Sequence, residues 1–200
     1  MSSPQDLVLA SANAGKITEL QQMLGGLGVK IIPQTDLDIP DIEETGLTFV
    51  ENAILKARNA AALSNLPAIA DDSGLEVDFL QGSPGIYSAR FAGGDAGDEA
   101  NKDKLLQLMA NVPTDQRSAR YQTVIVYMRH GNDPTPIICQ GTWEGLIAME
   151  SRGDQGFGYD PIFYVTETSC HAAELDKVTK NRLSHRGKAI ANLLQQLQTR

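Results

Sequence analysis

The stretch Asp6-Leu7-Val8-Leu9-Ala10-Ser11-Ala12-Asn13-Ala14-Gly15-Lys16-Ile17 carries the first reading of the fold. Asp6 to Ser11 is an apolar run of strand length. Asn13, Gly15 and Lys16 interrupt it, and a helical period then begins at Ile17 and continues through Leu20, Met23, Leu24 and Leu27. A strand therefore feeds a helix across a short polar turn. Working outward, Val29 to Ile32 is a second strand, Asp36 to Gly46 a loop rich in Asp, Pro and Glu, and Thr48 starts a helix with Phe49, Ala53, Ala57 and Ala60 as its apolar positions. Ile69-Ala70 ends a short strand at Asp71-Asp72-Ser73-Gly74, and Leu75 to Leu80 reads as a hairpin strand returning from that turn. Gly82 to Gly97 is a loop, Lys102 to Met109 a helix stopped by Pro113. Tyr121 to Met128 and Ile137 to Met149 are β-rich and flank His130-Gly131-Asn132-Asp133-Pro134, which predicts an antiparallel hairpin and a second lobe. After a glycine-rich loop at Gly153 to Pro161 come a strand at Ile162 to Val165 and helices at Ala173 to Leu183 and Gly187 to Leu197.

With 200 residues, 42% of them hydrophobic, the chain can bury a core without staples, and one compact domain over 1–200 is expected. The net charge of −8 argues against a nucleic-acid polymer as partner, although a small anion is compatible with locally gathered lysines. Cys139 and Cys170 are the only cysteines and fit no metal-ligand spacing; with no charged-then-apolar leader in view, a reducing cytoplasm is the expected compartment. No apolar run approaches the roughly 20 residues that cross a bilayer, so no membrane association is expected.

Five segments carry chemistry. Ser11-Ala12-Asn13-Ala14-Gly15-Lys16 lies where backbone N–H groups and the positive end of a helix dipole favour a phosphate, and Lys16 adds a full charge. It is not a Walker A loop, because the leading glycine and the wider spacing are absent; an ordinary capped turn is the competing reading. Asp71-Asp72-Ser73-Gly74 sets two carboxylates at a strand end, where open α/β sheets place ligands. Such a pair suits a magnesium ion, Mg2+, which takes one or two carboxylates together with waters and phosphates, and a carboxylate beside bound water can act as general base. An exposed turn is the alternative. Glu43-Glu44 supplies a second acidic pair, with Glu44 a candidate metal ligand if it faces the aspartates and Lys56 a candidate phosphate contact; surface charge is the competing reading. Gly156-Phe157-Gly158-Tyr159-Asp160-Pro161 can lay a ring against a flat base while the carboxylate reads its edge, and Ser184-His185-Arg186-Gly187-Lys188, with Lys180 a turn upstream, joins an imidazole to cations. A buried structural turn and a plain helix cap are the respective alternatives. Together they describe a nucleotide site.

The chain resembles the inosine/xanthosine triphosphate pyrophosphatases, which remove dITP, ITP and XTP from the nucleotide pool. The similarity runs from Leu7 to about Leu194 and rests on Ser11 to Lys16, Glu44-Thr45-Gly46, Glu51-Asn52-Ala53, Asp71 to Leu75, Pro84-Gly85-Ile86-Tyr87-Ser88-Ala89-Arg90, Gly156 to Pro161 and Ser184 to Gly187, in that order. The resemblance implies an elongated α/β fold, a mixed sheet flanked by helices, with a cleft between two lobes and a β-rich lobe at about 118–165. It also implies a homodimer and Mg2+ dependence. Carried over, Ser11, Ala12, Asn13, Ala14, Gly15 and Lys16 would hold the triphosphate, Glu44 and Asp72 the metal, and Ser73 the substrate. Asp72 would also accept the proton. Phe157, Gly158, Tyr159, Asp160, Lys180, His185 and Arg186 would surround base and sugar. Ala12 departs from the family's frequent Thr-Gly-Asn at Ser11-Ala12-Asn13.

On this reading Lys16 and Lys56 bind the departing pyrophosphate and Asp71 is a second ligand or an orienter. A Maf-like pyrophosphatase acting on pyrimidine or modified nucleotides is the nearest rival. A silent nucleotide sensor and a phosphoryl transferase are more distant ones.

Overall fold

The computed structural model describes residues 6–25, 28–94 and 96–199, so the predicted helical position Leu27 lies outside the described residues. The strands are β1 (Asp6–Ala10), β2 (Lys30–Pro33), β3 (Ala68–Val77), β4 (Ser118–Met128), β5 (Ile137–Ile147), β6 (Phe163–Val165) and β7 (Cys170–His171). The helices are α1 (Ala14–Leu24), α2 (Phe49–Ser64), α3 (Asp98–Met109), α4 (Lys177–Leu183) and α5 (His185–Gln198). The strands form one sheet in the order β2-β1-β3-β4-β5-β6-β7. It is mixed: β1 runs parallel to β2 and β3, with Leu7 opposite Ile31 and Leu9 opposite Ile69, whereas β6 is antiparallel to β5 and β7. The expected α/β class with a mixed sheet and helices is what the chain forms.

The chain divides into two compact units. The first is drawn from Met1–Asp72, Thr123–Gly141 and Arg186–Arg200, the second from Ser73–Gln122 and Thr142–His185. In the first unit, strand alternation sorts the core into two clusters. Leu7, Leu9, Ile69 and Ile125 meet Leu20 and Leu24 of α1 and Ala189, Ile190 and Leu193 of α5. Val8, Ala10, Ala68, Ala70, Val124 and Val126 meet α2 instead, through Ala53, Ala57, Ala60 and Ala61. Each fully buried leucine or isoleucine contributes about 1.5–3 kcal/mol relative to exposure. In the second unit Leu75, Val77, Leu105, Met109, Tyr121, Trp143 and Phe163 form one core, with the Tyr121 and Trp143 rings 4.7 and 5.3 Å from that of Phe163.

The structure corrects the sequence reading at Asp71-Asp72-Ser73-Gly74. These residues are not a turn closing a hairpin; β3 passes straight through them from Ala68 to Val77, and the chain reverses only beyond it, where Gln81 adopts φ 52°. Asp, Ser and Gly are turn formers when exposed, but here both carboxylates meet cations, which lets the strand continue. Gly74 serves close approach rather than a bend: a Cβ there would lie 2.2 Å from the Gly85 carbonyl oxygen. Smaller differences have equally local causes. The stretch predicted as one helix from Ala173 is a 3-10 turn at Ala172–Glu174 and then α4, because Leu175 and Asp176 are extended and the Asp176 carboxylate accepts the Thr179 N–H at 2.9 Å as an N-cap. Within the predicted loop at Gly82 to Gly97, Gly85–Arg90 forms a 3-10 helix.

Candidate active site

Successive residues of a strand face opposite ways, so Asp71 joins the α1 and α5 side of the sheet and Asp72 the α2 side. Asp71 is fully buried. Its Oδ2 lies 2.8 Å from Lys16 Nζ and its Oδ1 3.4 Å from Arg186 Nε, while the Thr123 hydroxyl donates to Oδ1. Burial alone would raise its pKa, but Arg186 and Lys16 override that and hold the carboxyl well below the usual range. Lys16 is delivered by the first turn of α1, where Asn13 is the N-cap and its Oδ1 accepts the Lys16 N–H at 3.0 Å; Ser11 Oγ in turn accepts the Asn13 N–H at 3.2 Å. Burial, together with the like charges of Lys56 and Arg186, pulls the Lys16 ammonium below its ordinary value, with Asp71 and Asp72 opposing. Arg186 also donates to Glu19 Oε2 at 2.9 Å.

Asp72 meets Lys56, which reaches it from α2 with Nζ 2.7 Å from Oδ1 and 2.8 Å from Glu44 Oε1. One ammonium thus gathers two carboxylates. Burial pushes the Asp72 carboxyl up, Lys56 and Lys16 pull it back, and the neighbouring Glu44 charge adds to the rise. Lys56 itself is raised, since Asp72 and Glu44 outweigh its burial. Of the acidic pair at 43–44, Glu44 is the member held by Lys56. Among the described residues no group of three or more His, Cys, Asp or Glu is clustered as a metal cage. Two hard carboxylate donors, one of them destabilised as an anion by burial, fit instead a hydrated divalent ion completed by water and phosphate oxygens.

In the second unit the glycine-rich loop is organised by Asp160. Its Oδ2 accepts the Phe157 N–H at 3.0 Å and the Lys180 ammonium at 2.7 Å, and its Oδ1 accepts the Tyr121 hydroxyl at 3.2 Å. Gly156, at φ 81°, permits this, because a Cβ there would stand 2.1 Å from Asp160 Oδ2. Asp160 thereby shapes the loop rather than presenting a bare carboxylate. Gly158 N–H donates to Asp98 at 2.7 Å, and the buried Tyr159 donates its hydroxyl to the Ser88 carbonyl at 2.8 Å. Lys180 Nζ lies 5.3 Å from the Phe157 ring centre, and His185 stacks on Tyr121 with centroids 4.7 Å apart and planes 7° from parallel. Ser73 follows Asp72 directly in β3 and is half-buried.

The structure therefore brings Lys16 to Asp71 and Arg186, Lys56 to Glu44 and Asp72, and Lys180 to Phe157 and Asp160. The sequence reading missed Thr123, Glu19, Tyr121, Asp98 and Ser88. Each meets a site residue only through tertiary contact, and none sits in a motif that marks its partner, except Ser88 in the Pro84 to Arg90 run.

The Ham1 family model matches residues 7–196. A dITP/XTP pyrophosphatase of Thioalkalivibrio sulfidiphilus is 58% identical over 194 residues, covering 97% of this chain and 99% of its own length. One from Photobacterium profundum is 56% identical over 187 residues, 94% of this chain and 95% of its own. Among solved structures, a HAM1 protein from Coxiella burnetii superposes with a TM-score of 0.90 at 50% identity, covering 98% of this chain and all of its own. The Staphylococcus aureus Ham1 protein does so with 0.85 at 43%, covering 98% and 99%.

Proposed function

The chain belongs to the Ham1 family, and on that premise we infer that it hydrolyses non-standard purine nucleoside triphosphates, dITP, ITP and XTP, to the monophosphate and pyrophosphate. The observation that carries the assignment of the reacting centre is the meeting of Asp72 and Glu44 at one point: Lys56 Nζ stands 2.7 Å from the first carboxylate and 2.8 Å from the second. Burial and the nearby Glu44 charge push the Asp72 carboxyl up, whereas Arg186 and Lys16 hold Asp71 down against its burial. Two oxygen donors gathered in this way suit a divalent cation.

Glu44 and Asp72 would hold Mg2+, which when bound offsets negative charge on the phosphates at the bond being cleaved. Asp72 accepts the proton of the attacking water at its carboxylate, a role suited to a group whose protonated form burial already favours. Lys16 and Lys56 stabilise the departing pyrophosphate. Asn13 sets the first turn of α1 so that its N–H groups and Ser11 to Lys16 receive the triphosphate. Phe157 to Asp160, Lys180, His185 and Arg186 bind base and sugar. Donors facing O6 of hypoxanthine or xanthine reject adenine, whose 6-amino group would leave them unsatisfied.

The enzyme is read as a cytoplasmic homodimer, which the family resemblance supports and sedimentation at micromolar concentration tests. The deciding assay is pyrophosphate release across ITP, XTP, GTP, ATP, dTTP and UTP, with Mg2+ and with EDTA. Release confined to ITP and XTP and abolished by EDTA is expected; preference for dTTP or UTP would overturn the purine assignment.

A further inference from the structure

The loop that carries Glu44 is latched to the first turn of α2 by contacts that none of the roles above uses. Asn52 is fully buried, and its Oδ1 accepts the Gly46 N–H at 2.8 Å. Its Nδ2 is buried without a hydrogen-bond partner among the described residues. The approach demands glycine at 46, where a Cβ would lie 2.5 Å from Glu51 Cβ and 2.6 Å from Asn52 Oδ1. Alongside, Glu51 Oε2 accepts the Leu47 N–H at 3.0 Å and the Thr48 hydroxyl at 2.7 Å, and Thr48 Oγ1, the N-cap of α2, accepts the Glu51 N–H at 3.3 Å. Residues 46–48 are thus tied to 51 and 52, two positions after Glu44.

Asn52 and Lys56 are four residues apart on α2 and share one face of it. The anchor of the loop and the cation that receives Glu44 therefore stand one turn apart on the same rigid element. The other positions that α2 buries are alanines. An amide with a buried, unspent donor is a less stable choice there than another alanine, unless its oxygen is needed to hold something. What it holds is the Glu44 loop.

We propose that Asn52 is a positioning residue, whose side-chain oxygen fixes the 44–48 loop so that the Glu44 carboxylate is held beside Asp72 at Lys56. This rests on the reading of Glu44 as a metal ligand. The test uses the full chain and Mn2+ as probe, with affinity measured by titration calorimetry and exchange of the Gly46 amide by NMR. Asn52→Ala and Gly46→Ala each weaken Mn2+ binding by about tenfold, the lower end of what losing an outer partner of a ligand costs. The double variant is no weaker than either single one, because both break the same contact. Saturating Mg2+ restores kcat, and the Gly46 amide exchanges faster in Asn52→Ala but stays slow in Asn52→Asp, which keeps an oxygen in place. If Asn52→Ala loses its cooperative melt, Gly46→Ala decides by the same readouts, since it leaves Asn52 intact. Unchanged Mn2+ affinity in these variants while Glu44→Gln is weakened overturns the latch and spares the metal reading. Unchanged affinity in Glu44→Gln overturns that reading, and the proposal with it.

Discussion

On one side of β3, Asp71 is enclosed by Lys16, Arg186 and Thr123; on the other, one residue later, Asp72 shares the ammonium of Lys56 with Glu44. The same carboxyl group is driven down on the first side and up on the second. Burial pushes both upward; Arg186, Lys16 and the Thr123 hydroxyl outweigh it at Asp71, whereas at Asp72 the neighbouring Glu44 charge adds to it against Lys56 and Lys16. A buried carboxylate held low is an anchor for its cations. One pushed up is a group that gains from a further cation or a proton.

Four experiments sharpen or break this contrast. Asp72→Asn has the largest effect: on the proposed roles, loss of a metal ligand and of the roughly 10²–10⁴ of proton transfer lowers kcat for ITP by about 10³-fold or more, while the melt is retained. Near wild-type pyrophosphate release would move the chemistry away from Asp72. Asp71→Asn acts first on stability, because Lys16 and Arg186 lose a buried partner; breaking such a pair costs about 3–5 kcal/mol, read from the urea midpoint.

The pH dependence separates the pair by sign. Asp71 is depressed in the folded state, so its contribution is present above the unfolded pKa of about 3.9 and is lost as pH falls toward the folded value. Asp72 is raised without bound metal, so its contribution is full below about 3.9 and is lost as pH rises through the folded value. Urea melts of the metal-free protein from acid to neutral pH, compared with each Asn variant, check both slopes; equal slopes would dissolve the distinction. The smallest effect is that of Thr123→Val, which removes a single donor from Asp71 and costs about 1 kcal/mol with turnover retained.

The contrast was half legible beforehand. The two aspartates, Glu44, Lys16 and Lys56 stand out as residue types suited to a metal and phosphates, and the structure gathers them into two ion-pair groups. Their division between two sides of one strand was hidden, because Asp-Asp-Ser-Gly has the composition of a turn. Only the packing of α1, α2 and α5 against β3 shows that cations wait on both faces. Asp160 illustrates the same limit. Its place in a glycine-aromatic loop suggests a carboxylate presented to a base, whereas Tyr121, Lys180 and the Phe157 amide occupy it from distant parts of the chain.

What the amino-acid order determined by itself is whatever depends on near neighbours. The strand-turn-helix opening, the apolar periods of α1, α2 and α5, and the N-cap at Thr48 arise within one or two turns of chain, where spacing alone sets the contacts. The tertiary structure decided which lysine meets which aspartate, which glycine exists for close approach rather than for a turn, and which buried amide holds the Glu44 loop. Those outcomes depend on strand order, on the face each side chain takes and on how far burial raises the cost of a charge, and none of these is a property of neighbouring residues.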